Sequence, residues 1–114
     1  MTQTERREWL IKYLLNEPGS PAEYKNIELP PQDDESAQKD LLRSLMNVRP
    51  PRPVSNEFLK IQDEYLTERN KERGITDVAT LKNVPADKRL FLWQGDITTL
   101  NADAIVNAAN SALL

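Results

Sequence analysis

Two short polar clusters hold the side chains with the most chemical capacity. Gly95, Asp96, Ile97 and Thr98 follow the apolar run Arg89, Leu90, Phe91, Leu92, Trp93, and Asn107, Ala108, Ala109, Asn110 and Ser111 follow the run Ala104, Ile105, Val106. A carboxylate such as Asp96 accepts hydrogen bonds from an amino group, and the amides of Asn107 and Asn110 grip hydroxyls in either direction. The small Ala108 and Ala109 let a ligand come close to the backbone. Together these residue types suit a nucleotide or a sugar. They suit a Gly-Asp turn and an Asn-capped strand end better still, and from the residues alone that plainer reading is favoured. The chain contains no His and no Cys, so its own residues provide carboxylate, amide, hydroxyl and backbone chemistry, without a Ser-His-Asp triad or thiolate metal ligands.

Both clusters must be positioned by the apolar runs before them. Runs this short, bounded by turn residues, read as buried strands of a central sheet. If the strands run parallel, the clusters lie at their carboxyl ends, where open α/β sheets bind ligands. The segment Ile97 to Asp103 is too short for an ordinary helical crossover, which takes about a dozen residues. The strands are therefore expected to pair antiparallel or through an unusually compact connection.

The preceding sequence is of another kind. Residues 1-80 carry 15 acids, 12 bases and seven of the eight prolines, whereas residues 81-114 carry three of each charge and only Pro85. The expected division is a helical N-terminal extension over 1-80 and a sheet-forming part over 81-114. A first helix is expected from Gln3 to Asn16, where Thr2 and Glu5 have the spacing of a capping box and Trp9, Leu10, Ile11, Tyr13, Leu14 and Leu15 form an apolar stripe. A connector follows, anchored by Tyr24, Ile27 and Leu29. A second helix is expected from Glu35 to Asn47, with Asp33 and Asp34 near the positive end of its dipole and Leu41, Leu42, Leu45 and Met46 on its apolar side. The segment Arg49 to Pro53 is extended by its prolines. Ser55 then caps a third helix with Val54 and Leu59 as a hydrophobic staple, Phe58, Ile61, Gln62, Tyr65 and Leu66 on one stripe, and Gly74 as its C-terminal cap.

The net charge is -3, from 18 acidic against 15 basic residues, and no basic face is present to displace counterions from nucleic-acid phosphates. The longest apolar stretch, Trp9 to Leu15, is far below the ~20 residues that span a bilayer. The expectation is a cytoplasmic protein that binds neither nucleic acid nor membrane. With 39% hydrophobic residues, the chain lies below the ~45–50% of an average globular domain, so its core should be modest.

The run LFLWQGDITTLNADAIVNAANSALL, residues 90 to 114, resembles the opening of a macrodomain, whose signature pairs a strand ending in GDIT with one ending in VNAAN. The stretches YLL, IELP, LLRSLMNVRPP and EFLKIQDEYL resemble the N-terminal extension of its bacterial zinc-containing protein-ADP-ribose hydrolases. The resemblance implies an α/β fold, in which the helical extension is followed by the first strands of a three-layer α/β/α sandwich that binds ADP-ribose, truncated here at Leu114. It implies that Asp96 accepts a hydrogen bond from the adenine amino group, that Gly95 and the Ile97 backbone shape the adenine pocket, and that Asn107, in a mainly structural role, lies in the ADP-ribose site with Ala108 and Ala109, which lend backbone contacts and room. Asn110 is implied at the distal ribose as the catalytic residue. The implied reaction is glycosidic: hydrolysis of the bond between mono-ADP-ribose and a modified protein side chain, with zinc as cofactor and a lipoyl-carrier protein as one partner. The zinc ligands are expected after Leu114, with none in this chain. The activity is accordingly expected of a longer protein, with the 114 residues alone inactive. The alternatives are a module that reads ADP-ribose without cleaving it, or a helical fragment without activity.

Overall fold

A computed structural model of the chain describes residues 1–106 and 111. Among the described residues it has three helices followed by short strands, the mixed α/β order expected. The elements are α1 (Gln3–Leu15), α2 (Glu35–Val48), α3 (Asn56–Arg73), β1 (Thr76–Asp77), β2 (Asn83–Val84), β3 (Asp87–Phe91) and β4 (Leu100–Asn101), with short 3-10 turns at Ala22–Asn26, Val78–Thr80 and Ile97–Thr99. They form two compact units, Met1–Arg69 and Asn70–Leu114, so the last turn of α3 belongs to the second.

In the first unit the helices start and stop where local chemistry dictates. Thr2 Oγ1 accepts from the Glu5 N–H (3.1 Å) and the Thr2 N–H donates to Glu5 Oε2 (2.8 Å), the reciprocal pair that satisfies two otherwise unpaired donors of α1. Asp34 caps α2 by accepting from the Ala37 N–H, and Ser55 Oγ caps α3 by accepting from the Phe58 N–H (3.1 Å). Gly74 follows α3 at φ +90°, a conformation that costs a side-chain-bearing residue steric strain.

The core lies where the three stripes meet: Leu10, Ile11 and Leu14 of α1, Leu42 and Leu45 of α2, and Phe58, Ile61 and Tyr65 of α3 are all buried. Each such side chain contributes about 1.5–3 kcal/mol of transfer free energy. Tyr13 fills the edge between α1 and α3, 4.7 Å from the Phe58 ring centroid and 5.3 Å from that of Trp9. Tyr24 and Leu29 anchor the connector against this core, whereas Ile27 is exposed. Leu59 and Leu66 are exposed as well; in Leu59's case the staple lacks its second half, and only Val54 packs on the core.

Two polar contacts lock the unit. Gln38 is fully buried; its Oε1 accepts from Arg7 Nε (2.8 Å) and its Nε2 donates to the Pro30 carbonyl (2.8 Å), so one amide ties α1, α2 and the connector together. Glu17 takes a forked pair of hydrogen bonds from Arg49, at 2.9 Å from Nη2 and 3.0 Å from Nε, while Arg52 Nη1 donates to the Pro18 carbonyl (2.8 Å). The two proline-rich connectors are thereby joined to each other, which explains the prolines as stiff spacers.

The second unit is built differently. β1 pairs parallel with β4, Thr76 opposite Leu100 and Asp77 opposite Asn101, and β2 pairs antiparallel with β3 in an irregular hairpin. The expected buried strands are corrected here. β3 begins at Asp87, ahead of the first run, and ends within it at Phe91; its apolar residues Leu90 and Phe91 are exposed, and Leu92 beyond it is 86% exposed. The second run forms no strand at Ala104, Ile105 and Val106, and Val106 is 95% exposed. The physical reason is that two-stranded ladders cover neither of their own faces, and among the described residues from Asn70 onward no apolar side chain is buried. Among the described residues, no helix is long and apolar enough to cross a membrane.

Candidate functional site

The Gly95 to Thr98 cluster lies between β3 and β4, at the start of the 3-10 turn Ile97–Thr99. A Cβ built at Gly95 would lie 2.6 Å from Cη2 of Trp93, so a larger residue there would have to displace that indole. Asp96 caps the turn. Its Oδ1 accepts from the Thr98 N–H (2.9 Å) and from Thr98 Oγ1 (2.7 Å), and its backbone carbonyl accepts from the Thr99 N–H (2.9 Å) and Thr99 Oγ1 (2.6 Å). The one loop of sequence D-I-T-T therefore fixes its own shape, and Thr99 is buried beneath it.

The last turn of α3 reaches the same loop. Arg73 Nη2 donates to Asp96 Oδ2, and Asn70 Nδ2 donates to the Thr98 carbonyl (3.2 Å). The Thr98 hydroxyl and then the Arg73 guanidinium hold the Asp96 carboxyl well below the usual carboxylate range. Asp96 is thus an ionised acceptor at neutral pH. A carboxylate offers about four acceptor sites; among the described residues Thr98 fills both on Oδ1 and Arg73 one on Oδ2. One acceptor direction on Oδ2 is left for an outside donor, and with Asp96 side chain 40% exposed it is reachable. Ile97 beside it presents an exposed apolar side chain. A carboxylate with one open acceptor direction beside an exposed apolar side chain can accept a hydrogen bond from an N–H or O–H donor.

Of the residues singled out in the sequence, Gly95, Asp96 and Ile97 come together in this turn, whereas Asn107, Ala108, Ala109 and Asn110 lie outside the described residues. Arg73 and Asn70 were not among them. Nothing local marks them, because their contacts with the turn span 23 and 28 residues. The role of Thr98 was legible in principle, since an Asp-x-Thr step readily closes on itself.

Among the described residues no group of His, Cys, Asp and Glu is arranged to hold a metal ion. Two hollows lie in the first unit: a cavity of about 170 Å³ lined by Leu14, Tyr24, Leu45 and Arg49 among others, and a groove of about 440 Å³ beside Tyr13, Asn16 and Arg52. Neither is lined by a residue of the two clusters.

No family model matches the chain. Known proteins do. A protein-ADP-ribose hydrolase from Treponema medium is 55% identical over 115 residues, an alignment that covers 99% of this chain and 42% of that protein. This chain is its homologue. A protein-ADP-ribose hydrolase from Staphylococcus aureus (strain COL) is 43% identical over 104 residues, covering 91% of this chain and 38% of the relative. The similarity runs through both the helical unit and the second unit, so the two parts occur together in these hydrolases. The chain spans about two fifths of the length of the curated relatives it matches.

Proposed function

We propose that the whole protein to which this sequence belongs is a macrodomain hydrolase that removes mono-ADP-ribose from modified protein side chains in the cytoplasm. The observation that carries this reading is the 55% identity, over nearly all of the chain, to a relative named protein-ADP-ribose hydrolase. The Asp96 turn supports it independently. An ionised carboxylate with one acceptor direction open selects a base that bears an amino group, because a base lacking it leaves that charge unpaired. In this reading Asp96 accepts from the adenine amino group, Ile97 forms part of the wall against the ring, and Gly95 allows the backbone to turn there.

Asn107, Ala108 and Ala109 then approach the ribose and diphosphate, and Asn110 orients the distal ribose hydroxyls and the attacking water at the anomeric carbon. An amide is a poor base at neutral pH, so Asn110 positions and a different group takes the proton. Zinc finds no fit in these residues, since the chain has neither His nor Cys. The Cys and His ligands that the zinc branch would need are not among these 114 residues. The 114 residues alone leave the cleft incomplete and are inactive in this account. A lipoyl-carrier protein is one substrate compatible with the branch.

The test is release of ADP-ribose from mono-ADP-ribosylated protein by the whole protein, followed by mass spectrometry with and without a chelator. Release that falls on chelation and falls in Asn110→Ala is the expected result. Undiminished release under both conditions rejects the mechanism, and tight ADP-ribose binding without any release identifies a reader instead.

A further inference from the structure

Arg73 and Asn70 stand three residues apart on one face of the last turn of α3 and both reach into the Asp96 turn, one to the carboxylate and one to the Thr98 carbonyl. Exposed ion pairs of this kind add little to stability; Arg73 and Asp96 side chains are 38% and 40% exposed. Stability therefore does not account for the arrangement, whereas orientation does. Thr98 holds Asp96 Oδ1 from one side and Arg73 holds Oδ2 from the other, so the carboxylate plane cannot rotate freely. Asn70 meanwhile fixes the backbone that carries Thr98.

We propose that the last turn of α3 is a positioning element for base recognition: Arg73 and Asn70 hold Asp96 so that its one open acceptor direction meets the amino group of an adenine. The proposal rests on the ADP-ribose reading above and adds two residues from the helical segment to it. Arg73 acts through Asp96 and touches no ligand. A helix that otherwise packs the N-terminal core thereby contributes its end to ligand selectivity. This makes the helical extension part of the recognition apparatus and not only a scaffold.

Two measurements test it. The first is binding of ADP-ribose and of its hypoxanthine analogue, which carries an oxo group where adenine has the amino group, to the whole protein by calorimetry. Wild type is expected to prefer ADP-ribose by about tenfold or more; Arg73→Ala and Asn70→Ala bring the ratio toward one while analogue affinity changes less than about twofold, and Arg73→Lys restores part of it. The second is a carbon-13 NMR titration of the Asp96 carboxyl in the whole protein, which is expected to move upward in Arg73→Ala. An Asp96 titration and a preference ratio both unchanged in Arg73→Ala overturn the positioning role and leave the ADP-ribose reading intact. A shifted titration with an unchanged preference overturns it as well. A wild-type protein that binds both ligands equally rejects the adenine reading itself, and the titration then reports whether the Arg73 contact exists apart from it.

Discussion

Asp96 carries the most information for its size. Its carboxylate closes the turn that contains it, takes Arg73 from α3, and keeps one acceptor direction open. Asp96→Ala removes the acceptor and the cap together, and is expected to weaken ADP-ribose binding by the whole protein about tenfold to a hundredfold, the loss of one charge-assisted hydrogen bond and some order. The pH dependence follows from the lowered carboxyl. A group depressed on folding contributes fully above its unfolded value, about 3.9 for Asp, and its contribution is lost as pH falls from there toward the depressed folded value. Base recognition depends on the folded-state carboxyl, which Thr98 and Arg73 hold below the usual range, so it should stay flat from neutral pH down to about pH 4, which binding isotherms across that range can check. A decline between pH 7 and 5 would place a different titrating group at the base.

At the scale of elements, α1, α2 and α3 were readable in the sequence because their determinants are local. A capping hydroxyl, a stripe at helical spacing and a terminal glycine lie within one segment, and the observed boundaries differ from expectation by a residue or so. The strands were not readable in the same way. Whether Leu90, Leu92 or Val106 is buried depends on what lies against it, and the second unit places no layer there among the described residues. The Arg73 and Asn70 contacts escaped for a related reason, being long-range and made by ordinary surface-type side chains. Thr2→Ala should cost α1 about 1 kcal/mol by losing one half of the capping box. Gln38→Leu keeps the volume but leaves the Arg7 Nε–H and the Pro30 carbonyl without their partner, and should cost about 2–3 kcal/mol. Urea unfolding of the chain, followed by far-ultraviolet circular dichroism, measures both; equal midpoints for Gln38→Leu and wild type would show that the buried amide is dispensable.

Taken as a whole, the molecule pairs a helical unit that has its own apolar core with a second unit that carries the Asp96 turn and, among the described residues, buries no apolar side chain. Such an asymmetry predicts unequal local stability. Amide hydrogen exchange on the 114-residue chain should show protection concentrated in α1, α2 and the first turns of α3, with β1 to β4 exchanging rapidly; uniform protection across both units would contradict it. The relatives that match the chain are some two and a half times its length, and under the proposed reading further sequence of that kind covers the exposed Leu90, Leu92 and Val106. The decisive quantity is the rate at which the whole protein releases ADP-ribose from a mono-ADP-ribosylated protein, compared between wild type and Asn110→Ala. The account predicts release by wild type and a rate lower by about a hundredfold in the variant; no release by wild type, or equal rates in the two, would contradict it.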